Sequence, residues 1–282
     1  SIQINSIPGS SPTNTVIFQS DNGIASSVTL QNNVSGSFVV KLLDADNISF
    51  RNMTITSNLS GINAVQIIAS ADSCVNVTLY GNTLSTQWGV FASSNAAILA
   101  TGKNPNLTIR RNSISRAAYG IYVQGNATLA QYNQNTVVDS NSITTAGGDA
   151  FQGMYFRYCS APKVKYNNIQ KNGCCADRGV EMNNISNGGE FSYNKLITTG
   201  GFNFGLLLQT INTNGETTPL MVFNNFISSN SGTYNFYVVS SNYINFFNNS
   251  LYINSGIYNM YANSSGTNSN INIVNNSFKS PS

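Results

Sequence analysis

The stretch Asn106-Leu107-Thr108-Ile109-Arg110-Arg111-Asn112-Ser113-Ile114, followed closely by Tyr119-Gly120-Ile121-Tyr122-Val123-Gln124, forms one unit of a repeat. In both phrases apolar and polar residues alternate, as they do in a β-strand with one buried face. The unit predicts three short strands: one before Asn112, one beginning at Ile114, and the Gly-Ile-Tyr-Val phrase. Strands this short cannot bury a face alone, so each must stack on the equivalent strand of the next unit.

The first phrase recurs along the chain as apolar-x-apolar-x-x-Asn-x-apolar, with a variant one residue shorter at Asn52. Each anchoring asparagine has an apolar residue three positions before it and two positions after it. A period in the mid-to-high twenties is shared by leucine-rich repeats, propeller-like arrays and β-helices. A fixed leucine ladder and a helical side are both missing, which favours a solenoid of β-strands. The predicted anchors are Asn82, Asn112, Asn141, Asn167, Asn194, Asn224, Asn249 and Asn276.

This pattern resembles the right-handed parallel β-helix of the pectate lyase-like superfamily, over about residues 45–278. In that superfamily a stacked asparagine occupies a short turn between two sheets, and Asn112 with its equivalents matches it. The resemblance implies an all-β fold, a right-handed parallel β-helix of about nine coils with three short parallel sheets and an asparagine ladder. The Asn-rich style of residues 246–251 is also similar to repeats of large Bacteroidetes surface proteins.

The two ends of the chain differ from its middle. Residues 1–45 contain Pro8, Gly9, Pro12 and only a weak repeat, so we expect an N-terminal cap and an irregular first coil. Residues 46–282 are expected to form the parallel β-helix as a single continuous domain. Neither an initiating Met nor a signal peptide is visible at Ser1, and the chain ends with the repeat barely finished. We therefore expect an excised part of a longer secreted or cell-surface protein.

The composition narrows the function classes. Charged residues are 8% of the chain and the net charge of +3 forms no basic stripe, so nucleic-acid binding is not expected. No apolar run approaches 18 residues, so membrane insertion is not expected. The absence of histidine argues against zinc, and no Asp-rich loop supplies calcium ligands. We therefore expect no metal site and no cofactor.

Four cysteines occur without a spaced framework: Cys74, Cys159, Cys174 and Cys175. They are interpreted as small buried apolar residues. The alternative is a disulfide that involves Cys174 or Cys175 in an oxidising compartment.

Alignment of the strands that follow each anchor gathers aromatic and amide residues on one outward face. The residues Ile121, Met154, Val180, Leu206, Phe236 and Met260 are expected to point inward. In the named superfamily the sheet formed by these strands holds the substrate. The candidate substrate-binding residues are Trp88, Phe91, Tyr119, Tyr122, Gln124, Gln152, Tyr155, Tyr234, Tyr237, Tyr258 and Tyr261.

A flat aromatic face with amide neighbours suits a polysaccharide, because sugar rings present C–H faces to aromatic rings and hydroxyls to amides. We therefore predict a secreted or cell-surface module that binds polysaccharide or surface glycan as an adhesin or in glycan capture. Two other interpretations stay open. The aromatic columns would stabilise the sheet, or the face would dock on other domains of the same longer protein in a stalk or assembly module.

Catalysis is the other alternative, as a polysaccharide lyase or glycoside hydrolase. The candidate catalytic residues are Asp149, Asp177, Glu181, Arg157 and Arg178. A glycosidase needs two carboxyl groups, and a lyase needs a base with a cation that neutralises an acidic sugar. The Asn-Thr-Asp, Asp-Asp, His and Arg-Ile-Lys motifs of polygalacturonases are absent, as are the histidine and paired aspartates of pectate lyases. Asp149 and Gln152 match the Gln and Asp residues of pectin methylesterases only in part. This favours binding over catalysis.

Overall fold

A computed structural model describes residues 1–87, 92–146, 151–172, 176–263 and 267–280, without the side chains of residues 145, 146, 176 and 177. The described chain is almost entirely short β-strands. In chain order these are β1 (Ile2–Ile4), β2 (Val16–Gln19), β3 (Thr29–Asn32), β4 (Phe38–Leu43), β5 (Ile48–Arg51), β6 (Thr54–Ser57), β7 (Asn63–Ile68), β8 (Thr78–Tyr80), β9 (Thr83–Ser85), β10 (Ala96–Thr101), β11 (Thr108–Arg110), β12 (Ser113–Ser115), β13 (Tyr119–Gln124) and β14 (Asn133–Gln134). The second half contains β15 (Val137–Asp139), β16 (Ser142–Ala146), β17 (Gln152–Ser160), β18 (Lys163–Lys165), β19 (Asn168–Asn172), β20 (Ala176–Ser186), β21 (Gly189–Ser192), β22 (Lys195–Ile211), β23 (Leu220–Phe223), β24 (Phe226–Val239), β25 (Asn242–Phe247), β26 (Ser250–Ala262), β27 (Ser269–Val274) and β28 (Ser277–Lys279).

The described helices are three single 3₁₀ turns, at Ala25–Ser27, Ser93–Asn95 and Leu129–Gln131. None of the helices within the described ranges has the length and apolar content that a membrane crossing requires.

Each strand pairs in parallel with the equivalent strand of the coils before and after it, which produces a right-handed parallel β-helix of about nine coils. The first sheet contains β1, β4, β7, β10, β13, β17 and β20. The second sheet contains β2, β5, β8, β11, β15, β18, β21, β23, β25 and β27, and the third contains β3, β6, β9, β12, β16, β19 and β28. The strands β22, β24 and β26 are long enough to belong to both the first and the third sheet.

The merging of the first and third sheets is not evident in the sequence pattern, which predicts three separate strands per coil. In β22 the ladder with β24 shifts register between Thr198 and Gly201, so the long strand bends at a bulge. A Cβ atom at Gly201 would collide with the carbonyl oxygen of Ser231 in the next coil. The glycine therefore permits the close approach of two backbones at which the chain passes from one sheet to the other.

The core is built from columns of inward-facing apolar residues, one per coil. The column through Ile121 contains Ile98 before it and Met154 after it, and all three are 0% exposed. Full burial of one such side chain contributes about 1.5–3 kcal/mol relative to exposure. The expected inward residues are buried except Met260, which packs against the core from the last coil and is half-buried.

One turn is held by a ladder of buried asparagine side chains. The backbone N–H and the Nδ2 of Asn112 both donate to Oδ1 of Asn141, each at 3.0 Å. The Nδ2 also donates to the carbonyl of Leu79 at 2.9 Å, and Oδ1 accepts from the N and Nδ2 of Asn82 at 2.9 and 3.1 Å. Every polar atom of the amide is thus used. At the first end of the ladder, Met53 donates its backbone N–H to Oδ1 of Asn82.

The ladder passes through Asn225 and not through the predicted Asn224. Asn225 is 2% exposed and accepts from Asn194, whereas Asn224 is exposed at a φ of 55°. Both asparagines have apolar residues at the required offsets, so the sequence template fits either. The ladder members are Asn82, Asn112, Asn141, Asn167, Asn194, Asn225, Asn249 and Asn276.

A second asparagine ladder, which the sequence template does not include, lies at the turn before the second sheet. Each Nδ2 donates to Oδ1 of the preceding member, at 2.8 Å from Asn76 to Asn47, 2.9 Å from Asn106 to Asn76 and 3.0 Å from Asn135 to Asn106. All four residues have positive φ, a conformation that asparagine tolerates well.

The segment expected to form a cap contributes strands β1 to β4, and β1 and β2 pair with β4 and β5 of the next coil. The domain boundary after residue 45 stays a prediction.

Cys74 and Cys159 are buried free thiols. Burial raises their pKa to about 11 and about 12, respectively. Cys174 and Cys175 lie outside the described residues.

The two adjacent asparagines provide a matched test of the ladder. Asn225→Ala leaves the N–H and Nδ2 of Asn194 without their acceptor and takes the Nδ2 donor away from the carbonyls of Phe191 and Phe223, of which Phe223 keeps the backbone N–H of Tyr193. Because each buried unsatisfied group costs about 1–3 kcal/mol, we expect a loss of about 2–4 kcal/mol in the free energy of unfolding, measured by chemical denaturation. Asn224→Gly, at a φ that suits glycine, should change it by less than about 0.5 kcal/mol. Equal losses in the two variants would contradict the assignment of the ladder.

Candidate functional site

The outward side of the first sheet, from β13 to β26, is here called the aromatic face. It consists of three columns in register, in which successive members lie one coil apart. The first column is Tyr119, Gln152, Arg178, Phe204, Tyr234 and Tyr258; the second is Tyr122, Tyr155, Glu181, Leu207, Tyr237 and Tyr261; the third is Gln124, Arg157, Asn183, Gln209 and Val239. The second and third columns point out because they alternate along each strand with buried core residues such as Ile121 and Val123. The first column lies two residues before the core column and reaches the same face, as the contact between the rings of Tyr119 and Tyr122 shows.

Three tyrosines form a cluster at one end of the aromatic face. The rings of Tyr122 and Tyr155 stack at a centroid distance of 4.6 Å, and the ring of Tyr119 meets them edge-on at 5.3 and 6.5 Å. The hydroxyl of Tyr122 donates to Oε1 of Gln124 at 2.7 Å. All three tyrosines are half-buried, so parts of their rings and polar atoms face solvent.

Five further rings form a cluster at the other end. In the first column Phe204, Tyr234 and Tyr258 stack at centroid distances of 5.5 and 5.7 Å. In the second column Tyr237 and Tyr261 stack at 5.6 Å. These distances exceed the coil spacing of about 4.8 Å, which indicates offset stacks whose rings overlap only in part. Tyr258 is 45% exposed, and the other four rings are half-buried.

A polar group built around Glu181 separates the two aromatic clusters. Its Oε2 accepts from Nε2 of Gln152 at 3.2 Å and from Nη1 of Arg178, with which it forms an ion pair. Its Oε1 accepts from Nδ2 of Asn183 at 3.3 Å. The Arg178 guanidinium also lies 5.9 Å from the ring centroid of Phe204. Glu181 is only 3% exposed, so this carboxylate holds its neighbours in place from beneath the surface.

Arg157 lies beside the tyrosine cluster, where its guanidinium is 4.7 Å from the ring centroid of Tyr158. It follows Gln124 and precedes Asn183 in the third column. The third column therefore supplies a cation between two amides along the edge of the aromatic face.

Several predicted site residues cannot be placed on this face. Trp88, Phe91 and Asp149 lie outside the described residues. Asp177 lies within β20, but its side chain is not among those described. Of the candidate catalytic residues, the structure thus brings Glu181, Arg178 and Arg157 to one face.

Residues of β10 hold the positions in the first and second columns that the alignment of the sequence gives to Trp88 and Phe91. Ala96 and Leu99 of β10 stand in register with Tyr119 and Tyr122. The connection before β10 is longer than the pattern assumes, because it includes the 3₁₀ turn Ser93–Asn95. The contribution of Trp88 and Phe91 to the face stays a prediction.

Within the described ranges, no group of three or more His, Cys, Asp or Glu side chains could hold a metal ion. The expectation of no metal site stays a prediction for the complete chain.

A family model described as "Right handed beta helix region" matches residues 40–208. Neither a curated protein nor a solved structure matches the chain. The family match agrees with the parallel solenoid seen in the structure and is consistent with the pectate lyase-like superfamily.

The tyrosine cluster should make the stability of the protein depend on pH in the alkaline range. Burial raises the pKa of both Tyr122 and Tyr155, and the nearby charge of Glu181 raises both further. Because the folded state keeps these protons above pH 10, where unfolded tyrosine ionises, stability should fall as the pH rises beyond about 10. We expect Tyr122→Phe with Tyr155→Phe to reduce the tyrosinate absorbance that develops at the highest pH and to weaken the alkaline loss of stability. If the double variant instead loses tyrosinate absorbance that develops near pH 10, this expectation is wrong.

Proposed function

The chain belongs to the family of right-handed β-helix regions, and on this premise we propose that it binds polysaccharide through the aromatic face. The proposed context is a secreted or cell-surface module that acts as an adhesin or captures glycan. The observation that carries the proposal is the pair of aromatic clusters in register on one regular, partly exposed sheet face.

The occurrence of aromatic residues along one column supports this function over simple sheet stabilisation. In β4, β7 and β10 the column that continues to Tyr122 consists of Lys41, Gln66 and Leu99. The same sheet therefore forms without aromatic rings at this position. In this column rings occur in β13, β17, β24 and β26, which is the pattern expected if they contact a ligand along part of the rod.

The chemistry of the face also suits a sugar chain. Partly exposed rings offer apolar contact to the C–H faces of sugars, and Gln124, Arg157 and Asn183 offer polar contacts at their edge. From β13 to β26 the face spans five coil spacings, or about 24 Å. This length accommodates an extended oligosaccharide that contacts both aromatic clusters at once.

The catalytic alternative lacks a described pair of carboxyl groups on this face. Glu181 is buried and its two oxygens accept hydrogen bonds from three side chains. Hydrolysis would need a second carboxyl group beside it, and the Asp149 and Asp177 side chains lie outside the described part. An activity screen on uronic and neutral glycans, with Glu181→Gln as the comparison, tests this alternative. Turnover that the substitution abolishes would favour it over binding alone.

Removal of the rings should weaken glycan binding. We expect Tyr122→Ala with Tyr155→Ala, and separately Tyr234→Ala with Tyr258→Ala, to raise the dissociation constant about tenfold for the neutral glycans that the wild type retains. Each aromatic contact contributes about 0.5–1.5 kcal/mol, and 1.4 kcal/mol is a factor of ten. The measurement is a glycan array followed by affinity gel electrophoresis.

The matched control is Tyr252→Ala, which removes a half-buried tyrosine of β26 that precedes the part of this strand on the aromatic face. It should leave retention unchanged. Equal retention of all variants, or no retention of the wild type on any glycan, would rule out the proposal. Self-association that the same tyrosine substitutions abolish would instead indicate a docking face.

A further inference from the structure

The turn that follows each strand of the second sheet places one residue per coil in the left-handed region of backbone space. Arg111 (φ 55°), Ser140 (φ 58°), Tyr166 (φ 57°) and Tyr193 (φ 55°) occupy it in the middle coils. The other coils have asparagine or glycine there: Asn52, Gly81, Asn224, Asn248 and Asn275. Since Gly and Asn tolerate this conformation and bulky residues do not, the turn itself gives no reason for two tyrosines and an arginine.

The two tyrosines are among the most exposed aromatic residues of the described chain. Tyr166 is 52% exposed and Tyr193 is 44% exposed. Their rings stack at 4.8 Å with planes 12° apart, and Tyr193 meets the edge of Phe223 at 5.5 Å. Two strained backbones thus support a pair of rings that buries little surface. Backbone strain that the fold does not require points to a functional site.

The same side of the rod is positively charged. The outward residues of the second sheet and its turn include five basic residues and two acidic ones, a sum of +3, which equals the net charge of the whole chain. They are Arg51, Arg110, Arg111, Lys163, Lys165, Asp139 and Glu190. The two acidic groups have partners here. Asp139 pairs with Arg110 at 3.1 Å, and Glu190 accepts from Oγ of Ser192 at 2.5 Å and faces Lys163.

One basic group lies beside an exposed ring of the pair, and a second lies beside the half-buried ring of Tyr80. Nζ of Lys165 lies 6.0 Å from the ring centroid of Tyr166. Arg111 is exposed, donates from Nη1 to the hydroxyl of Tyr80 at 2.8 Å, and lies 5.7 Å from the centroid of that ring. Neither cation forms an ion pair with a carboxylate within the described part of the chain. Both charges therefore face solvent beside hydroxyl-bearing rings.

We propose that Arg111, Lys165, Tyr166 and Tyr193, here called the turn ridge, form a second binding surface whose ligand is an acidic polysaccharide. The two cations match the charge of acidic sugars, and the tyrosine hydroxyls bond to sugar hydroxyls at the exposed ring edges. The turn ridge belongs to the second sheet, so it is separate from the aromatic face on the first.

The geometry favours a polysaccharide over a single-stranded nucleic acid. Bases bind by stacking on open aromatic faces. In the turn ridge the facing sides of Tyr166 and Tyr193 cover each other, and Tyr193 is also covered by Phe223. The exposed ring edges and hydroxyls can form hydrogen bonds, and Nζ of Lys165 lies 6.0 Å from the centroid of Tyr166, so the pair offers stacking surface for one base at most.

The test uses residues that the fold itself accepts at this turn. Tyr166→Asn with Tyr193→Asn, and separately Arg111→Asn, introduce the residue found at equivalent positions such as Asn248, so folding should be retained. The polymers for affinity gel electrophoresis are alginate, dextran sulfate, neutral dextran and a single-stranded oligonucleotide. Alginate and dextran sulfate distinguish carboxylate from sulfate as the recognised group.

We expect at least one acidic polymer to retain the wild-type protein, and added salt to weaken this retention. Neutral dextran should not bind the turn ridge. Both sets of substitutions should raise the dissociation constant about tenfold, while the thermal midpoint stays equal or rises because backbone strain is removed. Tyr122→Ala with Tyr155→Ala should leave this binding unchanged, which separates it from binding by the aromatic face.

Three results would overturn the proposal. The first is no retention on either acidic polymer. The second is equal retention of wild type and tyrosine variants, which would indicate simple ion exchange, particularly with a lower thermal midpoint in the variants. The third is tighter, tyrosine-dependent retention on the oligonucleotide, which would assign the turn ridge to nucleic acid.

Discussion

The β-helix depends on how it satisfies buried polar groups at a tight turn. A backbone that turns between two sheets leaves N–H and C=O groups that no strand partner reaches, and a buried unpaired group costs about 1–3 kcal/mol. A stacked asparagine meets this need because its amide offers two donors and an acceptor with two lone pairs. Asn112 uses all of them, with bonds to the coils on both sides. The ladder thereby fixes the alignment of each coil with the next.

The alignment of the coils determines how side chains are arranged on the outer surfaces of the sheets. Once the coils are in register, an outward position becomes a column whose members repeat at the coil spacing of about 4.8 Å. A column can change its chemistry along the rod without disturbing the core, as the change from Leu99 to Tyr122 shows. The middle of the aromatic face is the exception. There Glu181 is buried under its neighbours, and its position depends on the side chains of Gln152, Arg178 and Asn183.

The sequence predicts the fold well because the ladder and the core have strict periodic requirements. Asn112 with Ile109 and Ile114 is enough to define the unit, and its repetition predicts the parallel solenoid. The prediction from sequence fails where two residues satisfy the same template, as at Asn224 and Asn225. Only the register with the next coil distinguishes these two asparagines. The sequence also does not reveal that Ala96 and Leu99 continue the columns of Tyr119 and Tyr122, because the length of a connection is not encoded in the strand pattern. The strand merger at Gly201 and the conformation of Tyr166 depend on backbone geometry that alternation does not reveal.

Functional positions on such a rod are best recognised by what the fold does not require. Asn82 and Ile121 are explained fully by the ladder and the core, so their presence carries no information about a ligand. Tyr166 and Tyr193 are different, because the equivalent turns elsewhere, apart from those at Arg111 and Ser140, use asparagine or glycine at the same positive φ. Their rings bury little surface, so packing does not repay the unfavourable backbone conformation. The same comparison applies more weakly to Tyr122, whose column is aromatic in only some coils and involves no strain. By this criterion the turn ridge is the more informative of the two surfaces, although the aromatic face is the larger.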